Sequence, residues 1–300
     1  MRGLKTTELF KQELSHQDHL HHISDEERVQ LQQLLLEMFE DIKQVCTKKK
    51  IPYMAGGGTV LGAVRHQGYI PWDDDLDLNI ERQYVSALLD GIREAYGDKY
   101  FILEPLNSRG YLSSFVQIQR QGTIMREYQW QKPNECGVKI DIFVIENTFN
   151  RAWRRKWHSI TTDAGLFMLS CYRTLLWRKE FLELTQNHSR AKMVIWLKCV
   201  IGLPYGIAPK LFYKRLQKRM MCCKDTESKY VAIPSGRGHF AGEIYEREKF
   251  CPTREVPFED TRIAITEDYD SYLRGLYGDN YMELPPQERR EEHVLYQFEI

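Results

Sequence analysis

The sequence lacks several features that are typical of secreted and membrane-spanning proteins. Its seven cysteines are odd in number and include no C-x-x-C pair, which favours reduced thiols over a disulfide framework or a zinc site. Residues 1–20 hold no apolar core of the kind a signal peptide needs. No stretch reaches the roughly 18 uninterrupted apolar residues of a spanning helix. We therefore expect a cytoplasmic protein.

The sequence also lacks net charge, but its charges are unevenly distributed. Lys and Arg number 42, as do Asp and Glu, whereas residues 151–219 alone contain 15 basic and 3 acidic residues. Such a basic block predicts an anionic partner, namely nucleic acid, a phosphorylated glycan or an acidic membrane surface. No recognised nucleic-acid-binding module accompanies the block, so we do not expect nucleic acid.

What is present is a composition that can build a large core, since 42% of the 300 residues are apolar. Ser24 followed by Glu27 has the form of a capping box, and apolar residues then recur at helical spacing to about residue 50. Helices are also predicted over 59–65, 84–96 and 268–281, and strands over 51–55, 75–80, 115–119, 123–125, 139–145 and 230–233. The expected fold class is α+β, a mixed α/β sheet flanked by helices, with a basic and mostly helical insertion.

Three aspartates, Asp73, Asp75 and Asp77, are spaced two residues apart. If all three lie on one strand they share a face at about 6.6 Å intervals. At an effective dielectric of ~20 each neighbouring pair then repels by roughly 2.5 kcal/mol, and the set by about 6 kcal/mol. A divalent cation would offset that repulsion, so we expect Mg²⁺ or Mn²⁺ at this cluster. Asp74 should point away, and a solvated acidic turn is the alternative.

A glycine run precedes this cluster. Gly57, Gly58 and Thr59 follow a predicted strand and open a predicted helix. Glycine permits close approach of a phosphate, and a helix N-terminus offers amide donors to it. Arg65 on the same helix has the length to reach that phosphate. An ordinary turn is the alternative for a glycine triplet alone.

A further aspartate, Asp141, stands inside the apolar stretch GVKIDIF. An unpaired carboxylate is costly to bury, so we expect a neighbouring strand to bring Asp141 against Asp75 and Asp77. Its role would be that of a metal ligand or of the base that accepts a hydroxyl proton. The alternative is an aspartate that faces solvent on an edge strand.

These elements together resemble the nucleotidyltransferase superfamily pattern. More closely, GGGTVLGAVRHQGYIPWDDDLDL is similar to the LicD family, which includes bacterial phosphocholine transferases and, more distantly, the fukutin-related proteins. The segments GVKIDIF and YLRGLYGDNYMELPPQERREEH are similar to downstream motifs of that family. The resemblance covers about residues 28–146 and 228–293, and the basic block has no matching motif.

The resemblance implies transfer of phosphocholine from CDP-choline to a hydroxyl of a cell-surface glycan (a teichoic acid, lipopolysaccharide or capsule precursor), with release of CMP. It assigns Asp75, Asp77 and Asp141 to catalysis and Asp73, Asp75, Asp77 and Asp141 to the metal. It implies a polar lead-in over 1–23, a nucleotidyltransferase-like catalytic domain over 24–150 and 228–300, and an insertion over 151–227. Alternatives are transfer of phosphoethanolamine or a polyol phosphate, true nucleotidyl transfer, and a glycan-binding scaffold with an inactive site.

The quaternary ammonium of choline would require aromatic side chains around it. Tyr69 and Trp72 flank the aspartates, and Tyr128 and Trp130 lie in a polar loop, but core packing is an equal alternative for each. A contact with phosphate or acceptor is a further hypothesis for His66 and His293. Their alternative role is that of an ordinary hydrogen-bonded histidine.

The basic block itself interleaves Lys and Arg with Trp, Leu and Ile. That mixture is typical of a helix lying at a membrane interface. We therefore expect residues 151–227 to dock on the cytoplasmic leaflet, where a lipid-linked glycan acceptor would be presented. The alternative is a helical subdomain that only packs on the catalytic core.

Overall fold

A computed structural model describes residues 20–127, 131, 136–185, 189–286, 290 and 294–300. Most of the lead-in over 1–23 lies outside these ranges, as do Tyr128, Trp130 and His293, so the hypotheses on them stay untested. Within the described ranges helices flank a curled mixed sheet, which confirms the predicted α+β class.

Helix α1, Asp25–Lys49, begins where the sequence predicts. The Ser24 hydroxyl accepts a hydrogen bond from the Glu27 amide at 3.3 Å, and the Glu27 carboxylate accepts one from the Ser24 amide at 2.9 Å. This capping box satisfies amides that have no partner within the helix. The helix ends at Lys50, whose φ of 54° breaks the helical path. Its buried face packs into the main core.

The remaining helices in the described ranges are α2 Gly57–His66, α3 Arg82–Tyr96, α4 Ala152–Leu176, α5 Arg178–Leu184, α6 Ser189–Ile207, α7 Pro209–Met220, α8 His239–Gly242, α9 Arg247–Phe250 and α10 Tyr269–Tyr277. The strands are β1 His21–His22, β2 Met54–Ala55, β3 Asp77–Glu81, β4 Tyr100–Leu103, β5 Val116–Arg120, β6 Ile124–Arg126, β7 Lys139–Thr148, β8 Tyr230–Ala232, β9 Ile244–Glu246, β10 Thr253–Phe258, β11 Thr261–Thr266, β12 Val294–Leu295 and β13 Gln297–Glu299.

The central sheet has the strand order β2-β3-β7-β5-β4, and β8 and β9 extend it from the far end of β7. Strand β7 is ten residues long, so it pairs with β3 and β5 near its start and with β8 near its end. The β3–β7 pair is parallel, whereas β5–β7 and β2–β3 are antiparallel. The start of β7 thus carries neighbours on both sides, and the candidate site is built there.

Two predicted boundaries next to the site are wrong. The strand expected over 75–80 begins only at Asp77, so residues 73–76 are irregular. The helix expected from Thr59 begins already at Gly57. Asp73 and Asp75 therefore precede the strand, and the prediction that they share one strand face with Asp77 is wrong.

Helices α4 to α7 occupy most of residues 151–227, and β8 then returns the chain to the central sheet. A small apolar cluster separate from the main core joins these helices, formed by Leu169, Tyr205, Tyr213, Leu216 and Met220. Among the described residues no individual helix has the length and hydropathy to cross a membrane. Helices α6 and α7 meet those criteria only when taken together, and they are bent by 94° relative to each other. The seven cysteines are free thiols, as predicted.

Candidate functional site

Three neighbouring strands place polar side chains in one row across the sheet. Asp77 on β3 stands opposite Asp141 on β7, and Gln117 on β5 stands opposite Asp141 on the other side. The side-chain amide of Gln117 donates a hydrogen bond to Oδ1 of Asp141 at 2.9 Å. Asp141 therefore lies in the interior of the sheet, between two strands, and the edge-strand alternative does not apply.

Two hydrogen bonds connect the glycine run to Asp77, the first member of this row. The Gly56 amide donates to the carbonyl of Asp77 at 2.9 Å, and the Asp77 amide donates to the Thr59 hydroxyl at 2.9 Å. These two hydrogen bonds hold the start of α2 against the start of β3. Thr59 is thereby a structural link between loop and strand, which gives it a role besides the predicted phosphate contact.

Two carboxylates lie close to the backbone of the glycine run. A β-carbon at Gly58 would lie 3.1 Å from Oδ2 of Asp73, and one at Gly57 would lie 3.4 Å from Oδ2 of Asp77. Gly57 also has a φ of +42°, a region that favours glycine. The predicted phosphate-binding loop thus lies directly beside two of the predicted metal ligands.

Asp73, Asp74 and Asp75 form a compact acidic group. Each offers a carboxylate oxygen within 4.8 Å of the oxygens of the other two. Asp74 is only 4% exposed, so the prediction that it points away from the cluster is wrong. The period of two applies to strands, whereas Asp73 closes a turn, its amide donating to the Ile70 carbonyl at 2.8 Å, and residues 74–76 are irregular. The Asp73 carbonyl in turn accepts from the Gln32 side chain at 2.8 Å.

Burial and neighbouring charges raise the pKa of two aspartates of the site. Burial raises the pKa of Asp77 well above its ordinary value, and the charges of Asp75, Asp141 and Asp73 raise it further, with Lys139 opposing them. Burial likewise raises the pKa of Asp141 to about 7, although Lys139 and the hydrogen bond from Gln117 lower it. Burial and the neighbouring carboxylates thus make ionisation of these two aspartates costly, even with Lys139 nearby. Oxygen ligands in this number and spacing fit a hard divalent cation.

A cation, Lys139, lies beside the row formed by Asp77, Asp141 and Gln117. It is on β7, two residues before Asp141 and on the same face of the strand. It forms an ion pair with Glu127. Burial by itself lowers the pKa of Lys139, but Glu127, Asp141 and Asp74 reverse that effect and leave the pKa above its ordinary value. Lys139 is therefore a fixed positive charge at the site. Lys139 was not among the predicted site residues, although its spacing of two residues from Asp141 was a usable signal in the sequence.

A cavity of about 450 Å³ opens beside the acidic group. Its lining combines four carboxylates, three cations and three aromatic rings: Asp74, Asp75, Glu127, Asp141, Arg109, Lys139, Arg173, Tyr111, Phe115 and Trp177. Arg173 and Trp177 come from the end of α4 and the residue after it, so the basic region contributes directly to the wall of the cavity. Nothing in the sequence pattern indicated that contribution.

Helix α10 contacts the glycine run from the C-terminal part of the chain. The Gly57 amide donates to the Tyr272 hydroxyl at 2.9 Å. The hydroxyl of Tyr277 lies 3.8 Å from the point that a β-carbon at Gly57 would occupy, and the Arg237 guanidinium lies 5.2 Å from the centre of the Tyr277 ring. The motif YLRGLYGDNY, which carried part of the resemblance, contains both tyrosines and was the available signal for them.

Arg65 and His66 are engaged with the C-terminal segment. The Arg65 guanidinium donates to the carbonyls of Tyr281 at 2.9 Å and Glu283 at 3.3 Å, and to Nε2 of His66 at 2.9 Å. Burial, followed by the charge of Arg65, lowers the pKa of His66 and so favours its neutral form. These contacts support structural roles, and contacts with substrate stay a prediction for both residues.

Tyr69 and Trp72 do not form an open aromatic cage in the described structure. Tyr69 is buried with its ring centre 4.9 Å from that of Phe258, which favours the packing alternative. The Arg290 guanidinium lies 4.2 Å from the centre of the Trp72 ring, and that of Arg65 lies 6.0 Å from it. A cation of the chain itself therefore already occupies the neighbourhood of Trp72.

Comparison with known proteins gives one match to a family model and one long match to a characterised protein. The model described as LicD/FKTN/FKRP, nucleotidyltransferase domain, matches residues 50–168, a range that contains all five aspartates of the site. The lipopolysaccharide cholinephosphotransferase LicD of Haemophilus influenzae is 25% identical over 269 residues, which span 88% of this chain and 95% of that protein.

Two shorter matches are to uncharacterised proteins of Rickettsia. The one from Rickettsia prowazekii is 52% identical over 46 residues, or 15% of this chain and 17% of that protein. The one from Rickettsia typhi is 48% identical over 58 residues, or 19% of this chain and 18% of that protein. These matches cover less than a fifth of either partner and carry no information about activity.

Proposed function

Since the chain belongs to the LicD family, we propose that it is a metal-dependent cholinephosphotransferase that moves phosphocholine from CDP-choline to a hydroxyl of a cell-surface glycan and releases CMP. The observation that carries this proposal is the juxtaposition of Asp77 and Asp141, with the acidic group Asp73–Asp75 beside them, next to a cavity with cationic and aromatic walls. A nucleotidyltransferase-like core is part of the same proposal.

The carboxylates fit a divalent cation by their number, spacing and mutual repulsion. Asp73, Asp75, Asp77 and Asp141 are the proposed ligands, and the position of Asp74 adds it to them. When bound, Mg²⁺ or Mn²⁺ would neutralise charge on the diphosphate and on the departing CMP. Asp141 holds either the metal or the proton released by the acceptor, and the structure is compatible with both roles.

The residues of the chain that would bind the donor lie in the cavity. Arg109, Lys139 and Arg173 supply positive charge for a diphosphate, and Tyr111 and Trp177 supply aromatic rings for a quaternary ammonium. This assignment replaces Tyr69 and Trp72 as the proposed choline contacts, because Tyr69 is in the core and Trp72 is covered by Arg290.

In the proposed reaction an acceptor oxygen attacks the phosphorus that bears choline. The bond from that phosphorus to the CMP oxygen breaks, CMP leaves as an anion, and the hydroxyl proton passes to a carboxylate of the site. Because phosphoryl transfer depends on positioning and charge neutralisation, the fixed charges of Lys139 and the arginines would lower the barrier by orienting the diphosphate.

The acceptor is proposed to be a lipopolysaccharide, teichoic acid or capsule precursor, carried on a lipid at the cytoplasmic face of the membrane. The named activity of the Haemophilus relative favours lipopolysaccharide among these. A cytoplasmic location and peripheral contact with the inner face of the cell membrane belong to the same proposal.

The test is to incubate the purified full chain with a glycan acceptor and CDP-choline, CDP-ethanolamine or a CDP-polyol, with Mg²⁺, Mn²⁺ or EDTA. We expect CMP and a phosphocholine-bearing glycan, no product with EDTA, and none with Asp75→Asn. The matched control is Asp98→Asn, an exposed aspartate outside the site. CMP release with another donor only would reassign the transferred group. Pyrophosphate release in a parallel reaction supplied with a nucleoside triphosphate in place of the CDP-linked donor would indicate a nucleotidyltransferase. Absence of product and of calorimetric metal binding would favour the glycan-binding scaffold.

A further inference from the structure

Helix α6 exposes a row of large apolar side chains on one side. The row, here named the apolar stripe, consists of Met193, Trp196, Leu197, Val200, Leu203 and Ile207, all of them exposed. At about 100° per residue these six positions fall within an arc of about 120°. Exposure reaches 67% at Met193 and 86% at Ile207. Single exposed apolar residues are ordinary, but a continuous row marks an interaction surface.

The opposite side of α6 anchors the helix to the protein. A β-carbon at Gly202 would lie 2.7 Å from the backbone of Cys171 on α4, so the two helices approach closely there. The Lys198 ammonium donates to the Ser170 hydroxyl at 3.0 Å, and the rings of Tyr205 and Tyr172 stack at 5.0 Å. The helix is therefore packed through its buried side, and the apolar stripe is not needed to hold it in place.

Charge on α6 and α7 has a single sign. Between residues 189 and 220 there are eight Lys or Arg and no Asp or Glu. The exposed cations include Lys210, Lys214 and Lys218, spaced four residues apart on α7. Positions four apart lie on one face of a helix, so these three lysines form a row, here named the basic row. The basic row lies on α7, the helix that follows the apolar stripe in the sequence.

The apolar stripe and the basic row together indicate which partner this surface binds, a second copy of the chain or a lipid bilayer. Docking of a second copy through the same surface would bring two acid-free basic helices together, and like charges would repel. A bilayer that contains anionic lipids accepts both features, since acyl chains receive the apolar side chains and headgroups pair with the lysines. The 94° bend between α6 and α7 lets one helix enter the interface while the other follows the surface.

We propose that the apolar stripe and the basic row form a docking surface for an anionic lipid bilayer, on which the protein lies without spanning it. The proposal deepens the peripheral membrane contact of the proposed function by naming its surface. Arg173 lies on α4, which packs on α6, and Trp177 directly follows α4. Because both residues line the cavity, docking there would hold the cavity near a lipid-linked acceptor.

The experiment measures vesicle flotation of the purified full chain, with no donor or acceptor present. Vesicles consist either of phosphatidylcholine alone or of phosphatidylcholine with phosphatidylglycerol in place of about a third of it. We expect binding to the anionic vesicles that weakens as salt is raised. The affinity for anionic vesicles should fall about 100-fold in the triple variant Lys210→Gln, Lys214→Gln and Lys218→Gln, because each lost charge weakens binding about fivefold. Trp196→Gln, Val200→Gln and Leu203→Gln combined should weaken it at least about tenfold.

The matched control is Val29→Gln with Phe101→Gln, two exposed apolar residues outside the basic region, which should bind as the unaltered protein does. Thermal unfolding checks that every variant is folded, and CMP release in detergent solution should be unchanged by the surface variants.

The proposal is overturned by absence of binding to anionic vesicles, or by unaltered binding of both triple variants. It is also overturned by a dimer in sedimentation that the stripe variant dissociates. Loss of phosphotransfer with intact vesicle binding would count against the proposed function alone.

Discussion

Asp77 and Asp141 face each other across parallel strands, although 64 residues separate them in the sequence. Burial raises the pKa of both, the charge of Asp75 raises both further, and the charge of Asp141 adds to the increase at Asp77, so ionising this pair without a bound cation is costly. Replacing Asp77 by Asn removes one of the charges. We expect the free energy of unfolding of the metal-free protein to rise by on the order of 2 kcal/mol, the repulsion of one such pair at an effective dielectric of ~20.

The same Asp77→Asn change should abolish CMP release, because the site loses a ligand, and losses of several orders of magnitude follow from such a removal. Thermal unfolding with and without Mg²⁺ separates the two effects. The unaltered protein should gain stability from the cation and the variant should not. A variant that is both less stable and still stabilised by Mg²⁺ would show that the carboxylate is not a ligand.

The second prediction concerns Asp74. A strand over residues 73–77 would point Asp74 away from the other carboxylates and make it dispensable, whereas the structure implies that it matters. It is buried and belongs to the group of three carboxylates whose oxygens lie within 4.8 Å of one another. Asp74→Asn should therefore weaken Mg²⁺ binding measured by calorimetry and lower the rate of CMP release about 100-fold. Asp98→Asn is the matched control and should change neither quantity. Equal metal affinity in the two variants would remove Asp74 from the site.

Gly58 provides a third prediction. The β-carbon of Gly58→Ala would lie 3.1 Å from Oδ2 of Asp73, so the carboxylate must move by a few tenths of an ångström. Displacement of a metal ligand should lower the rate of CMP release by up to about 100-fold with little effect on thermal unfolding. Gly275→Ala is the control, because a β-carbon there would meet no atom of the described residues within 4 Å. That change lies inside α10 and should stabilise the protein by about 0.5–1 kcal/mol.

Glu243 provides a prediction on pH dependence that is independent of metal. Its carboxylate is buried and accepts a hydrogen bond from the Gly238 amide at 2.7 Å. Burial raises the pKa of Glu243 to about 7, although the bonds from Gly238 and Tyr245 oppose it. A raised carboxyl pKa means that the folded state binds more protons than the unfolded state between its ordinary pKa of 4.5 and about 7. Stability should therefore fall as the pH rises through that window.

Glu243→Gln should remove that slope and stabilise the protein at pH values above the window by on the order of 2–3 kcal/mol. Chemical unfolding at several pH values measures the difference between the variant and the unaltered protein, so contributions from Asp77 and Asp141 cancel. Glu248→Gln, at an exposed glutamate nearby, is the control and should leave the slope unchanged. A variant that loses stability above the window would show that the carboxylate of Glu243 is ionised and paired in the fold.

Sequence reasoning found the parts of the site that local pattern encodes. Ser24 and Glu27 predict the start of α1 because a cap needs only neighbours in the chain. Asp141 is recognisable because a carboxylate in an apolar strand requires a partner. Asp74 was misplaced because a period of two was extended into the irregular segment before β3, where the Asp73 carbonyl accepts a hydrogen bond from Gln32, 41 residues away. Residues brought in by distant elements, such as Tyr272 and Arg173, could not be found from spacing.

The hydrogen bond from the Gly57 amide to the Tyr272 hydroxyl joins positions 215 residues apart. During synthesis the glycine run, the aspartates and β7 leave the ribosome long before the tyrosine does. The nascent chain therefore holds every proposed metal ligand before the hydrogen bond to the Tyr272 hydroxyl can form. Binding of donor should begin only after the C-terminal helix has emerged, so chains cut short before residue 269 would be inactive despite keeping every aspartate of the site.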